Sequence, residues 1–394
     1  MLKSDPTVKC VAMVDVDSNV LTQRMADLQK EFPENGEVKS YSDYKEMLAD
    51  DSIDTVIIGT PDHWHCLQFV DACKAGKSIM LEKPIGNYIA EAEIMVAAAE
   101  KYNNIVCVNQ HQRSNVAWNK AIEIVKSGVL GQITHVKVWG NFGYGIGRPF
   151  MSDSPVPAGV DFNTWLGPSK KRTFNNGRYH GSWRMFWDYG GGLLSDWGVH
   201  LIDMGILAMD AAGVMPNQVY ANGGRFAYLD HNSETPSLMN VVYQYDNWQM
   251  TWEQNGGQEQ GPYGQHYGVA YIGTNGTLVV DRDGYKAFPL KDDGKLLMEP
   301  IEPMEGAPWS GDQISVPAHA LGFIKCIKAG DRKTPCTIQE GRDACVLAHV
   351  ANISLRLGGV PLVYDSKTQR FVDNDQANMM LYPKYRTPYV FPTI

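Results

Sequence analysis

The chain has 394 residues, 44% of them hydrophobic and 20% charged, with a formal net charge of -9. That is a globular composition, long enough for two domains. The acidic balance excludes nucleic acid as a main partner, since phosphate binding needs a basic face, and no apolar run approaches the roughly 18 residues of a membrane span.

The opening Met1-Leu2-Lys3-Ser4-Asp5 lacks the apolar core of a signal peptide, which reads as cytoplasmic as it stands. Seven scattered cysteines include no CxxC pair and read as buried reduced thiols. Ten tryptophans and nineteen tyrosines suit a flat polar, sugar-like substrate and suit sheet packing equally well.

Val8 to Val16 is nearly continuously apolar and predicts a buried strand ending in Asp15-Val16-Asp17. Val20 to Phe32 carries Leu21, Met25, Leu28 and Phe32 on one helical stripe. A short strand follows at Val38 to Tyr41, with Ser42 as the cap of a small helix through Leu48. Thr55 to Gly59 is another buried strand, and Thr60-Pro61-Asp62-His63-Trp64-His65 is its loop. A helix from His65 to Ala75, a strand from Ser78 into Lys83, a helix from Ala90 to Tyr102 and a strand from Ile105 to Val108 complete the alternation. Such alternation predicts a parallel sheet flanked by helices.

After a helix at Val116 to Lys126 the pattern changes. Strands at Gln132 to Asn141, Gln218 to Leu229, Leu238 to Tyr245, Gln249 to Glu253, Tyr267 to Ile272 and Thr277 to Asp281 have few helices between them. Gly273-Thr274-Asn275-Gly276 is a hairpin signal. The second domain therefore reads as α+β, with late helices near Ala318 to Lys328 and Gln339 to Leu357 covering it. The boundary falls between residues 1–116 and 117–394.

A dinucleotide-binding sheet opens with a strand, G-x-G-x-x-G and a helix, and an acid follows about 20 residues on. Asp15 fits that acid, and the glycine loop should lie ahead of Met1. Either roughly 25–30 residues of a mononucleotide unit are missing or the domain does not bind a dinucleotide.

Chemistry concentrates at Met80-Leu81-Glu82-Lys83-Pro84. Pro84 stops the strand, because proline cannot donate to a sheet ladder. Lys83 then sits at a strand end, where open α/β sheets bind ligands, desolvated enough for acid–base work or simply solvated. A second stretch runs from Tyr179 through Gly190-Gly191-Gly192 to Asp203, its three glycines letting backbone approach a ligand closely. Asp196 and His200 are four apart and share a helical face, with Asp203 on the same stripe. They read as assistants to Lys83, as metal ligands, or as a satisfied polar cluster. His63 and His65 on an extended loop would point the same way, as metal ligands or more simply as capping or ligand-touching groups.

Glu82-Lys83-Pro84, the loop Gly59 to His65, and Gly190-Gly191-Gly192 with Asp196-x-x-x-His200 together resemble the Gfo/Idh/MocA oxidoreductase family, named for glucose–fructose oxidoreductase, inositol dehydrogenase and rhizopine catabolism. The likeness runs through nearly the whole chain. Val160 to Pro168 and Asn374 to Tyr389 are similar to one bacterial branch whose members are often exported. The resemblance implies a Rossmann-type domain, then an α/β domain whose large open sheet often joins two or four copies, and NAD or NADP chemistry on sugars, cyclitols and related polyols. It implies Lys83 as the group at the reacting hydroxyl, with Asp196 and His200 beside it. It implies cofactor contacts from Asp15, Thr60, Pro61, His63, His65, Glu82, Lys83, Gln112 and Arg113, with Asp15 favouring NAD over NADP. Tyr179, His180, Trp183 and Arg184 are candidate substrate contacts, and no metal is implied.

Against the family pattern, the first strand and its glycine loop have no counterpart in these residues. A segment ahead of Met1 would supply them, with any export signal, and a genuine loss would leave a partly open cofactor site. Three rival functions follow: a glycosidase or lyase that retains NAD and works through a transient keto-sugar, a redox-silent sugar-binding or assembly protein, and a metal hydrolase built on Asp196 and His200.

Overall fold

The computed structural model describes residues 1–305 and 312–394. Its first part alternates as the apolar runs predict: β1 (Ala12–Val14), α1 (Ser18–Glu31), β2 (Lys39–Tyr41), α2 (Tyr44–Leu48), β3 (Thr55–Ile58), α3 (Asp62–Lys74), β4 (Ser78–Leu81), α4 (Ile89–Lys101) and β5 (Val106–Val108). Asp17 sets the start of α1, its carboxylate accepting from the amides of Asn19 and Val20. Asp43, not Ser42, caps α2, because its carboxylate reaches the Lys45 amide.

The parallel sheet is divided. β3, β4 and β5 pair in one sheet, and β1 pairs with β2 in another. Among the described residues no strand joins β1 to β3. A slot of about 1860 Å³ is lined by Val8 to Val16 on one side and Ser52 to Pro61 on the other. The division shows in burial. Central strands of parallel sheets are covered on both faces, and Ile79 of β4 is 0% exposed, yet Ile57 of β3 is 62% exposed.

The second part contains α5 (Val116–Lys126), β6 (Ile133–Gly140), β7 (Arg148–Pro149), α6 (Phe162–Leu166), α7 (Val199–Ala208), β8 (Gln218–Gly224), β9 (His231–Asn232), β10 (Leu238–Gln244), β11 (Gln249–Asn255), β12 (Tyr267–Gly273), β13 (Gly276–Val280) and β14 (Gly284–Pro289). A sheet of eight strands runs in the order Met304–Glu305, β14, β13, β12, β6, β11, β10, β8. Its pairs are antiparallel except β6 with β11. Gly273 to Gly276 makes the predicted hairpin between β12 and β13.

The late helices do not both cover this sheet. α9 (Ile338–Arg356) lies against β8, α7 and α4, so it bonds the two parts together. α8 (Asp312–Ala329) instead packs on the first part, with Ala320 and Phe323 against Met80 and Cys107. The reason is apolar demand at the back of β4 and β5, which α8 satisfies. One continuous apolar core runs through both parts, from Ile79 and Val108 to Val136 and Trp252. No helix among the described residues is long and apolar enough to cross a membrane.

The slot makes neighbouring isoleucines unequal. Ile79→Ala should cost about 2–5 kcal/mol, while Ile57→Ala should stay under about 1 kcal/mol, near the surface range. Urea unfolding of the two variants checks this, and equal losses would mean that β3 is covered.

Candidate active site

Lys83 leaves β4 just past its buried end, and its bond to Pro84 is cis. Its ammonium lies 2.6 Å from Asp196 Oδ1 and donates at 3.0 Å to the Asp196 backbone carbonyl. Their side chains are only 12% and 11% exposed. Tyr144 donates its hydroxyl to Asp196 Oδ2 at 2.7 Å, and Arg184 Nε stands 3.1 Å from Oδ1. Arg184 in turn lies 4.4 Å from the centre of the Trp183 ring. Burial pushes the Asp196 carboxyl up, but Lys83, Arg184 and the Tyr144 hydroxyl outweigh it and hold it down to about 2. Burial and the Asp196 charge push the Tyr144 phenol well up.

The pairing of Asp196 with His200 does not form. Leu194–Gly198 is a π-helical turn running into α7. One turn with an extra residue breaks the four-residue register that would stack the two side chains. His200 is 5% exposed, and its Nδ1 has no partner among the described residues. Burial, then the charges of Lys83, His111 and Arg282, drive its pKa well down, so the ring is neutral. Asp203 is also off the site, in a two-pronged ion pair with Arg113 at 2.7 Å on each prong. The glycines before the turn serve the protein rather than a ligand. Gly192 has φ +73, and a Cβ there would meet the Thr235 side chain at 2.8 Å.

The slot between β1 and β3 gathers most of the expected cofactor residues. Asp15, Thr60, Pro61, His65, Glu82 and Lys83 line it, together with His180, Trp183 and Arg184. Asp15 accepts from the Asp17 amide, and burial raises its carboxyl. Thr60 donates to Gln68, and Glu82 accepts from Asn109 at 2.5 Å. His65 faces the carbonyls of Thr60 and Pro84 at 2.8 Å each, tying the ends of β3 and β4 together.

Four expected site residues lie elsewhere. His63 is in α3, because that helix starts at Asp62 directly after Pro61. Two residues apart on a helix, His63 and His65 face nearly opposite sides, and His63 packs on Trp165 and Tyr189, its Nε2 at 3.0 Å from the Trp165 carbonyl. Gln112 is buried, donating to the His200 carbonyl and accepting from Arg282. Arg113 is held by Asp203 and Glu340. Tyr179 sits in an aromatic cluster with Trp165 and Phe174 and bonds Asp17 at 3.3 Å. Asp17 also faces His180 Nε2 at 3.2 Å.

Two groups escaped the sequence reading. Tyr144 lies in Gly143-Tyr144-Gly145-Ile146-Gly147 after β6, where alternating glycines were the available signal. Asp62 is 4% exposed in the slot wall, and burial pushes its carboxyl far up against the opposing charges of Arg184 and Lys83. Among the described residues no three His, Cys, Asp or Glu side chains are grouped to hold a metal.

A divided parallel sheet with Lys83 at its strand ends, joined to a large, mainly antiparallel sheet, gives a two-part architecture. The first part matches the Gfo/Idh/MocA model described as an oxidoreductase family, NAD-binding Rossmann fold, over residues 5–110. Residues 114–268 match the companion model for the oxidoreductase family's C-terminal alpha/beta domain. The chain belongs to the Gfo/Idh/MocA oxidoreductase family, and it is an NAD(P)-dependent oxidoreductase.

It is 24% identical over 327 residues to the uncharacterized oxidoreductase YrbE of Bacillus subtilis (strain 168), covering 80% of each chain. It is 27% identical over 134 residues to a glycosyl hydrolase family 109 protein of Shewanella putrefaciens, 32% of this chain and 28% of that one. The fold resembles levoglucosan dehydrogenase solved with NADH and levoglucosan, with TM-score 0.62, 18% identity and coverage of 89% and 88%.

The Asp196 cluster should register in the pH dependence of stability. A carboxyl held below its unfolded value adds stability in full above that value, near 3.8, and loses it as pH falls toward about 2. The increment is about 2 kcal/mol. Between about pH 5 and pH 2 wild type should therefore lose that much more than Asp196→Asn in urea unfolding. Parallel profiles would mean that the carboxylate is not held this way.

Proposed function

We propose that this enzyme oxidises a hydroxyl of a sugar, cyclitol or related polyol, or reduces the matching ketone, with Lys83 moving the proton. One observation carries the reading: Lys83 opens into the same slot as Asp15 while its ammonium is fixed on the buried Asp196.

The slot's chemistry suits a nicotinamide dinucleotide. At one end Asp15 offers a half-buried carboxylate to ribose hydroxyls and repels a 2′-phosphate, which favours NAD. Thr60, Pro61 and Glu82 line the slot as well. Bound nicotinamide supplies the hydride acceptor or donor.

The residues of this chain then do the rest. In reduction, the Lys83 ammonium gives its proton to the carbonyl oxygen as that oxygen gains charge. Oxidation is the reverse, with the hydroxyl proton passing to Lys83. Asp196 aims the Nζ group and balances its charge. Tyr144 and Arg184 fix Asp196 in turn. Trp183 and His180 flank the mouth of the slot, where a sugar face can stack and hydrogen-bond. His200, neutral and unpaired on Nδ1, stands behind Lys83 as a positioning group.

The similarity to a glycosyl hydrolase family 109 protein supports a second reading, in which a sugar is oxidised transiently, a glycosidic group is eliminated and the hydride returns. Net NADH formation belongs to the first reading, and aglycone release without net NADH to the second. In both, Lys83→Met should lower kcat by about 100-fold or more, the lower range of acid–base catalysis, with NADH still bound and a lower melting temperature, because Asp196 loses its buried cation. Turnover near that of wild type would contradict the assignment.

A further inference from the structure

Beside the Lys83–Asp196 pair lies a second cavity of about 390 Å³. Arg184 and Gly181 line both this cavity and the slot, so the two meet at the Arg184 guanidinium. The charged groups lining the smaller cavity are Arg148, Arg184 and Asp196. Asp196 is already engaged by Lys83, Tyr144 and Arg184. The Arg148 side chain has no hydrogen bond or ion pair among the described residues. The other arginines on this side are neutralised: Arg172 by Asp188 and Glu234, Arg178 by Asp153. The cavity therefore carries an uncompensated positive charge in a chain whose net charge is -9.

An exposed arginine is ordinarily just solvated, but the backbone of this one is fixed. Arg148 opens β7, which pairs with β9 through Arg148 and Asn232. The residue before it, Gly147, has φ +79, and a Cβ there would come within 2.4 Å of the Asn232 carbonyl. Glycine is therefore required at that point, and the turn delivers Arg148 to the cavity.

We infer that the substrate is an acidic polyol, a sugar or cyclitol that carries a carboxylate. Its carboxylate lies in the smaller cavity between Arg148 and Arg184, and its reacting hydroxyl extends past Arg184 toward Lys83. Guanidinium forks match a carboxylate with two parallel hydrogen bonds, which a neutral hydroxymethyl group cannot accept. This rests on the polyol reading above and names the substrate class within it.

The test is calorimetric titration of the full chain, with NADH present, using two matched pairs: glucose with glucuronate, and galactose with galacturonate. At least one acid should bind about tenfold or more tightly than its neutral partner, a difference of about 1.4 kcal/mol. The preference should shrink at high salt and fall toward one in Arg148→Gln, while the neutral sugars bind that variant as they bind wild type. Neutral sugars binding as well as their acids would overturn this inference and leave the polyol reading standing. A full acid preference in Arg148→Gln would overturn the proposed seat. No binding of any of the four would count against the polyol reading itself.

Discussion

The structure turns on one buried carboxylate. Asp196 joins segments that are far apart in the chain: the end of β4 through Lys83, the loop after β6 through Tyr144, the turn carrying Arg184, and the π-helical turn before α7. A buried charge is costly unless it is paired and hydrogen-bonded. Three donors meet that condition, and they come from both halves of the molecule. The pairing thus holds the lysine of the first part against the second part.

A second constraint comes from the divided sheet. With β1–β2 and β3–β4–β5 as separate sheets, the edges of β1 and β3 border a slot rather than each other. Asp17, the amide of Asp161 on the Val16 carbonyl, and the His65 contacts tie its rim. Lys83 therefore faces the large cavity, while its partner Asp196 lines the small arginine-lined one, and Arg184 borders both.

Much of this was legible in the sequence, because it rests on local rules. The strand–helix alternation, the α5 span, the hairpin at Gly273 to Gly276 and the placing of Lys83 at a strand end follow from apolar period, proline and glycine. What was not legible depended on register or distant partners. Asp196 and His200 look like helical neighbours, yet one extra residue in the π-helical turn separates them. His63 and His65 look like a loop pair, yet α3 begins at Asp62. Gln112 and Arg113 look like a ligand loop, but a buried aspartate 90 residues away claims the arginine. Tyr144 has no local signature beyond its glycines, since its role exists only where the loop after β6 meets the turn before α7.

Under the proposed function, nicotinamide lies at the strand-end side of the slot, next to Lys83. Trp183 lines that slot, so energy transfer from tryptophan to NADH reports on it directly. Titrating NADH into the purified chain should quench tryptophan emission saturably and sensitise nicotinamide emission, and Trp183→Phe should reduce the transfer only in part, because Trp64 and Trp165 also line the slot. A titration with no saturable change would contradict the account.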